Sequence, residues 1–538
     1  MKMSASRLGE PLAPIVVAPG WALDTLVAPT PLAGANGLRI GPDGALYVAQ
    51  SHAGQVGRID LGSGSVNPVA MSSGGLIGPD DLAFDSRGNM FVTEVMGNRV
   101  SARRPNGRME VIAGDTPAAN GITVHADRII MSEFHPAGRI LELRADGGPS
   151  RVIAAGLMMP NALQVGPDGL LYFPLVPLGE IWRVALDGSA LERVFAGLAF
   201  PTAVKFDHHG TLWVTEAATG VVSSIDPATG RQANIRQLAP GIDNLAFTGD
   251  GRMIVSYFTD GLIAEVASDG SIRPIVGAGL LGPFGLTVDA EDRLVVADGA
   301  SIATVDRHGA LGRSSMMTEA TSPGYAQGIS ATSDGSLLVT NTAGQVMLCD
   351  MEKGARPLAE GFDQLIGVTG DGAGGAIVCE AGAGRVLAID GSGGLSTLAS
   401  ALDRPTGIVR HAQGGIIVAE SGKGRVVHVD NGAISVVLDG LGEPHGLAST
   451  AAGLFVLDYA TGALHLVPAD KSAPIIVASG LPVGSRTGRA WRSLPGIGGM
   501  IPGPILRFAD LASFADGSVA VGCDATGAVV VLRPTDRP

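Results

Sequence analysis

Six polar residues recur at intervals of about forty residues in the first half of the chain, each at the start of a similar short apolar segment. Five of the six carry an amide or a carboxylate. Carbonyl and carboxylate oxygens are the ligands that hard divalent cations such as Ca²⁺ and Mg²⁺ prefer. If the fold arranges these segments around one axis, the side chains form a ring of oxygen ligands. The six residues are Asn36, Asp80, Asn120, Asn161, Thr202 and Asp243.

The equivalent position in the second half of the chain is mostly apolar or neutral. Its only ionisable residue is His445. Because this position is polar in every copy of the first half only, we predict that the first half carries the functional site and that the second half is mainly structural. The second-half residues are Phe284, Gln327, Ile366, Thr406, His445 and Ala509.

Another polar position follows about fourteen residues after the first in each copy. It is polar in most copies of both halves, which predicts a structural role such as accepting hydrogen bonds from loop amides. Glu94, Glu133 and Glu216 are nevertheless candidates for contacts with a metal or a substrate. The second-half members are Asp298, Asn341, Glu380, Glu420, Asp458 and Asp524.

The elements that must position these residues are short antiparallel strands. Residues 36–60 contain three apolar runs separated by glycine-containing turns, which is typical of such strands. The pattern recurs twelve times at about forty residues each, with room for four strands per copy, and this predicts propeller blades. The predicted fold is all-β, with two tandem six-bladed β-propellers. The later copies begin at Asp80, Asn120, Asn161, Thr202, Asp243, Phe284, Gln327, Ile366, Thr406, His445 and Ala509.

The termini predict how the rings close. Residues 21–29 read as a fourth strand without a blade before it, and the last copy has three strands and then ends. Propellers close when a terminal strand completes a blade begun elsewhere in the chain. We therefore predict that the strand near 22–28 completes the sixth blade and that the strand near 271–277 completes the twelfth. The predicted organisation is a loosely held arm (1–20), a first propeller (21–269) and a second propeller (270–538).

One copy carries an insertion, residues 482–507, between a fourth strand and the next first strand. Long loops in such positions are often lids or binding loops. Arg489 and Trp491 are accordingly predicted to contact a substrate. The alternative is a surface elaboration or a brace between the two rings.

Composition excludes several classes of protein. The chain has 538 residues and a formal net charge of −14, which argues against nucleic acid and anionic membranes as partners. No apolar run is long enough to cross a membrane, and the N-terminus does not resemble a signal peptide. The three cysteines fit a reducing compartment. We expect a cytoplasmic protein with a small-molecule substrate; its oligomeric state does not follow from the sequence.

The copies resemble the six-bladed propellers of the regucalcin/gluconolactonase family, with NHL-repeat and virginiamycin-B-lyase-like features, over about residues 30–535. The resembling segments are ANGLRIGPDGALYVAQ, AANGITV, MPNALQVGPDGLLYF, GTLWVTEAATG and EPHGLAS.

The resemblance implies one divalent cation at the channel mouth, Ca²⁺ first, with Mg²⁺ or Zn²⁺ as alternatives. It implies Asn120 and Asn161 as ligands, and Asp243 or Asp80 as the Asp that also acts as base. Asn36 stands where that family has a Glu. The lyase-like enzymes use His and Glu near the mouth. The first-ring candidates for this role are His135, beside Glu133, and His52.

Three functions follow as hypotheses. The first is a metal-dependent hydrolase that opens a lactone or a related cyclic ester, with Asp243 or Asp80 as base and His135 as an alternative base. The second is a lyase that abstracts a proton next to a carbonyl. The third is a non-catalytic binding scaffold of the NHL type.

Overall fold

The computed structural model describes residues 7, 11–70, 75–317, 319, 322–350, 353–484, 495–497 and 500–535. Nearly all regular structure in this part of the chain is β-strand, with two single 3-10 turns at Val176–Leu178 and Ser421–Lys423. The described residues contain no helix long and apolar enough to cross a membrane. The first two strands are β1 (Val16–Val17) and β2 (Trp21–Val27).

The first propeller consists of six four-stranded antiparallel sheets, and each sheet is built from four consecutive strands. Its blades in order are β3 to β6 (Ala35–Ile40, Leu46–Gln50, Gln55–Ile59, Val66–Ala70), β7 to β10 (Pro79–Phe84, Met90–Glu94, Arg99–Arg103, Met109–Ala113), β11 to β14 (Ala119–His125, Arg128–Glu133, Gly138–Leu143, Arg151–Leu157), β15 to β18 (Gln164–Val165, Leu170–Leu175, Glu180–Ala185, Glu192–Ala196), β19 to β22 (Pro201–Phe206, Leu212–Glu216, Val221–Asp226, Arg231–Gln237) and β23 to β26 (Ile242–Phe247, Met253–Tyr257, Ile263–Val266, Ile272–Val276).

The second propeller also has six blades, so the predicted fold class is confirmed. Its blades in order are β27 to β30 (Gly285–Val288, Leu294–Ala297, Ser301–Val305, Leu311–Met316), β31 to β34 (Ala326–Ala331, Leu337–Asn341, Gln345–Asp350, Gly354–Glu360), β35 to β38 (Leu365–Gly370, Ala376–Glu380, Arg385–Ile389, Leu395–Ala399), β39 to β42 (Pro405–Arg410, Ile416–Glu420, Arg425–Asp430, Ala433–Leu438), β43 to β46 (Pro444–Thr450, Gly453–Asp458, Ala463–Pro468, Ile475–Ser479) and β47 to β49 (Leu511–Ser513, Val519–Cys523, Ala528–Pro534).

Each ring is sealed by apolar side chains packed between neighbouring blades. In the first propeller, Leu38 and Val48 of the first blade share a buried cluster with Ile254 of the sixth. In the second, Leu286 of the seventh blade shares a cluster with Phe514 of the twelfth. Burial of such branched side chains on half-buried strands is the main favourable term in the stability of each ring.

The prediction of ring closure is wrong. Strand β26 pairs with β25 in its own blade, and β2 pairs with β49, so the N-terminal strand completes the twelfth blade. The boundary predicted near residue 269 therefore falls inside the sixth blade. The physical reason is that β26 already covers the edge of the sixth blade, which leaves β49 as the edge for β2 to cover. The compact units are 32–278 with 497–500, and 1–31 with 279–496 and 501–538.

The N-terminal segment is held more firmly than predicted for an arm. Strand β1 adds a fifth strand to the eleventh blade through β46. Arg7 is buried, and its guanidinium donates to the backbone carbonyls of Thr30, Leu280 and Leu281. A sequence period does not detect such single-residue anchors, since they do not repeat.

Candidate functional site

The opening residues lie at the start of the innermost strands of the first propeller. Small residues follow several of them because adjacent inner strands approach closely at this level. A Cβ atom at Gly37 would lie 2.6 Å from Asp81 Cα, and one at Gly121 would lie 2.6 Å from Ala162 Cα. The glycine of each Asn-Gly pair therefore allows the backbones of adjacent inner strands to approach closely, and the Asn before it lies at the channel.

Carboxylates gather on one side of this channel. Asn36 Nδ2 donates to Asp80 Oδ2 at 3.0 Å, which fixes the two side chains of neighbouring blades together. Burial, with repulsion from Asp243 and Asp81, raises the pKa of Asp80 well above its usual range. Burial and repulsion from Asp81 raise the pKa of half-buried Asp243 to about 7. A cluster of this kind favours the arrival of positive charge, because a cation would relieve both the burial and the repulsion.

Two amide oxygens at the same level lack partners. Asn36 Oδ1 and Asn120 Oδ1 are buried and accept no hydrogen bond from any residue the structure describes. Buried carbonyl oxygens are almost always paired, since leaving one unsatisfied is costly. A hydrogen-bond donor or a cation in the channel would satisfy these two oxygen atoms.

Asn161 differs from the other two asparagines. It is half-buried, and its Oδ1 accepts a hydrogen bond from the amide of Ala162 at 2.7 Å. That oxygen is already engaged by the amide of the next residue. The role of Asn161 as a metal ligand stays a prediction, with less support than Asn36 and Asn120 have.

Asp81 joins three blades. Its carboxylate accepts from the amides of Leu82 at 2.8 Å and Ile122 at 3.1 Å. Arg39 lies beside it, with Nη2 3.9 Å from Asp81 Oδ2, and donates to the carbonyls of Leu82 at 3.0 Å and Ile122 at 2.7 Å. Asp81 and Arg39 thus act as a clamp between the first three inner strands.

Lys205 is a channel residue that the sequence analysis missed. Only 4% of it is exposed, and its Nζ has no hydrogen-bond partner among the described residues. Burial, with repulsion from Arg39, lowers the pKa of Lys205 to about 7, against the attraction of Asp81 and Asp243. The sequence does contain a signal for this residue: Lys205 stands three positions after the opening residue Thr202, among the apolar residues of an inner strand.

The closing residues hold the loops in front of them, as predicted from their recurrence in both halves. Glu94 accepts from the amide of Ile77 at 2.6 Å, and Glu216 accepts from the amide of Ala199 at 2.7 Å. In the second propeller the same bond recurs at Asp298, Glu380, Glu420, Asp458 and Asp524. Substrate contacts by Glu94 and Glu216 stay a prediction, while their carboxylates have this structural role.

Glu133 and His135 do not join the carboxylate cluster. Glu133 forms two hydrogen bonds with Arg139, at 2.7 and 2.6 Å, so both of its oxygens are engaged. His135 is exposed, and its Nδ1 accepts from the amide of Ala137 at 3.2 Å. His52 is buried, with Nδ1 3.0 Å from Ser51 Oγ. Their predicted roles as ligand or base gain no geometric support.

Arg489 and Trp491 lie outside the described residues, as do the other residues of 485–494 and 498–499 in the predicted lid. The described end of the insertion lies at the mouth of the second propeller. There Leu506 O accepts from Gln327 at 3.4 Å, and Arg507 Nη2 lies 3.2 Å from Glu443 Oε1. His445 is buried beside them, with Nε2 3.7 Å from the same Glu443 oxygen.

The donor set in the first channel fits a hard cation of mixed amide and carboxylate coordination. The described residues contain no group of three or more His, Cys, Asp or Glu side chains that could hold a metal by themselves. A metal site in this channel would need the unpaired oxygens of Asn36 and Asn120 as further ligands, and Asn36 is the one bonded to Asp80. Oxygen ligands of this type suit Ca²⁺ or Mg²⁺, and they do not suit a typical zinc site.

Comparison with known proteins finds one matching family and several similar folds. Residues 22–233 match the family model described as the Virginiamycin B lyase family. No curated protein sequence matches the chain.

Similar solved structures include a streptogramin B lyase, with 17% identity, 59% of this chain and 94% of that chain covered, and a TM-score of 0.36. They also include an inactive virginiamycin B lyase from Staphylococcus aureus with quinupristin, with 16% identity, 60% and 96% covered, and a TM-score of 0.34. A gluconolactonase from Xanthomonas campestris has 20% identity, 56% and 99% covered, and a TM-score of 0.34. At these TM-scores the three structures lend no weight to any argument about function. The family match confirms, for residues 22–233, the resemblance to virginiamycin-B-lyase-like β-propellers that the repeat motifs predicted.

Proposed function

We propose that this protein is a metal-dependent hydrolase that opens a lactone or a related cyclic ester at the mouth of the first propeller's channel. The observation that carries the proposal is the pair of unpaired amide oxygens, on Asn36 and Asn120, beside the carboxylates of Asp80 and Asp243. The second propeller has no such set at the matching described positions, where Phe284 and Ile366 are among the substitutes.

The residues divide into ligands and a base. Asn36 Oδ1, Asn120 Oδ1 and a carboxylate oxygen of Asp80 would hold the cation. The bound cation would polarise the ester carbonyl and lower the pKa of a water molecule. Asp243, whose pKa is raised by burial and by repulsion from Asp81, would accept the proton of that water.

Other channel residues keep this arrangement in place. The bond from Asn36 Nδ2 to Asp80 leaves Asn36 Oδ1 free to face the cation. The Asp81 and Arg39 clamp fixes the spacing of the first three inner strands, and with it the distance between Asn36 and Asn120. Such fixed geometry lets the charges act without reorganisation during the reaction.

The test is turnover on a panel of lactones with metal-stripped and metal-reloaded protein. Asn36→Ala and Asn120→Ala should each lower bound metal and kcat/KM by at least about tenfold, because each removes a ligand. Exposed Asn106→Ala is the matched control, since its oxygen already accepts from the amide of Arg108 and has no proposed role in the channel. Unchanged metal content and turnover in both ligand variants would contradict the proposal.

A lyase is the second candidate, and the match of residues 22–233 to the Virginiamycin B lyase family favours it. In that case Asp243 would take a proton from the carbon next to a carbonyl. The bond from the neighbouring β-carbon to the ester oxygen would break, the carboxylate would leave with the electron pair, and the product would gain a C=C double bond. Product analysis in ¹⁸O-labelled water separates the two reactions. Incorporated solvent oxygen indicates hydrolysis, and an unlabelled unsaturated product indicates the lyase.

A further inference from the structure

The central channel of the second propeller contains a cavity of about 340 Å³. It is lined by the inner strands of all six blades of that propeller. The channel-facing side chains there are short, and several are hydroxyls: Thr287, Ser330, Thr369, Ser449 and Ser513. A cavity of this volume matches the lower range of small-molecule sites.

The strand registers show which side chain the second propeller lacks. In the first blade Leu38 pairs with Val48, and in the eleventh blade Leu447 pairs with Val456 in the same register. The residue after each leucine is therefore equivalent, and Ala448 occupies the position of Arg39. The second channel therefore has a methyl group where the first has a guanidinium.

The partners of that guanidinium are retained in the second propeller. Asp510 corresponds to Asp81: its Oδ2 accepts from the amide of Leu286 at 3.2 Å, as Asp81 accepts from Ile122. Leu511 and Leu286 correspond to Leu82 and Ile122, whose carbonyls accept from Arg39, and both line the cavity.

The carboxylate of Asp510 is left with its charge uncompensated. The structure pairs it with backbone amides, and no ion pair to Asp510 occurs within the described ranges. Burial raises its pKa to about 7. Asp510 is half-buried and lines the cavity, so its carboxylate, which has no counter-charge among the described residues, favours a cation there.

We propose that this cavity binds a small organic cation, a guanidinium or primary ammonium compound, whose charged group takes the place that Arg39 fills in the first propeller. The charged group would contact Asp510 and the carbonyls of Leu286 and Leu511, and the hydroxyls would bind the polar remainder of the ligand. The cavity is too large for a bare metal ion to fill. This site is independent of the function proposed for the first propeller.

Arg410 is the cationic residue of the described lining, and it lies away from Asp510. Along the inner strand of its blade, Arg410 lies three residues beyond the position equivalent to Asp510. At the rise of a β-strand this separates the two levels by about 10 Å along the channel. Its Nη1 donates to the carbonyl of Asp371 at 2.7 Å, and its side chain is exposed. Its charge therefore does not neutralise Asp510.

The test is isothermal titration of the full chain with agmatine, methylguanidine and putrescine, and with 1,4-butanediol and KCl as uncharged and inorganic controls. At least one of the three cations should bind with one site per chain. Failure of all three to bind, or equal heats from KCl or butanediol, would overturn the proposal.

Two variants locate the site. Asp510→Asn keeps a side-chain acceptor for Leu286 N and should weaken binding at least tenfold. Ala448→Arg should supply the missing guanidinium, abolish binding and preserve or raise the thermal unfolding temperature. Asp470→Asn is the matched control, since Asp470 is exposed, lies outside the cavity lining and accepts from the amide of Ser472 at 2.9 Å. Cation binding that survives in both folded variants would overturn the proposal.

Discussion

At the scale of single residues, the first channel concentrates groups that are unfavourable to bury. Asp80 and Asp243 have raised pKa values, and Lys205 has a pKa lowered to about 7. Residues that destabilise a fold in this way are frequent at functional sites. Neither the burial of Lys205 nor the bond between Asn36 and Asp80 is visible in a repeat pattern, since both depend on contacts between blades.

Lys205→Met should stabilise the first propeller at pH 7 by at least about 1 kcal/mol. The folded-state pKa of Lys205 lies below its unfolded value, so the unfolded chain binds more protons between pH 7 and about 10.5. Stability of the natural protein should therefore rise with pH across that window, and this rise should disappear in the variant. Denaturant unfolding at pH 7 and pH 9 measures both effects. Equal pH dependence in the two proteins would contradict the burial of an unpaired amine.

At the scale of elements, the opening and closing positions of each blade have different tasks. The opening position varies between the propellers and carries the candidate chemistry. The closing position recurs because loop amides need an acceptor at the end of each second strand. The recurrence of the closing position predicted its bonds to loop amides, because a structural contact recurs with the repeat. The functional role of the opening position stays a prediction.

Asp298→Ala should destabilise the second propeller by about 2–5 kcal/mol, because it leaves two buried amides without their acceptor and Arg313 without its counter-charge. Asp298 accepts from Leu281 N at 3.0 Å and Gly282 N at 2.8 Å, and Arg313 Nη1 lies 3.0 Å away. Chemical denaturation with separate probes for each propeller measures the loss. Exposed Asp439→Ala is a control for loss of an acidic side chain in the same propeller. An equal effect in the two variants would refute the special role of the closing position.

At the scale of the whole molecule, strand order and blade number followed from the repeat, and ring closure did not. The residue pattern of Trp21–Val27 identifies it as a fourth strand, but the pattern does not indicate which blade's sheet edge the strand pairs with. That choice depends on which blade lacks a fourth strand of its own. Only the pairing of β26 with β25 decides it.

A fragment of residues 32–278 should fold as an independent propeller and bind the cation proposed for its channel. It contains all six blades, including Ile272–Val276, and matches one compact unit of the chain apart from 497–500. A fragment of residues 1–269 lacks β26 and should be markedly less stable. Circular dichroism and thermal unfolding of the two fragments provide the comparison. Greater stability of residues 1–269 would show that β2 can close the first ring.

The most direct test of the central claim is a crystal structure of the full chain soaked with Mn²⁺, which suits oxygen ligands and gives an anomalous signal. We predict one anomalous peak in the first channel, within about 2.6 Å of Asn36 Oδ1, Asn120 Oδ1 and an oxygen of Asp80. Crystals of Asn120→Ala under the same conditions should lose the peak. A first channel without a peak in the natural protein, or a peak that persists in Asn120→Ala, would contradict the account.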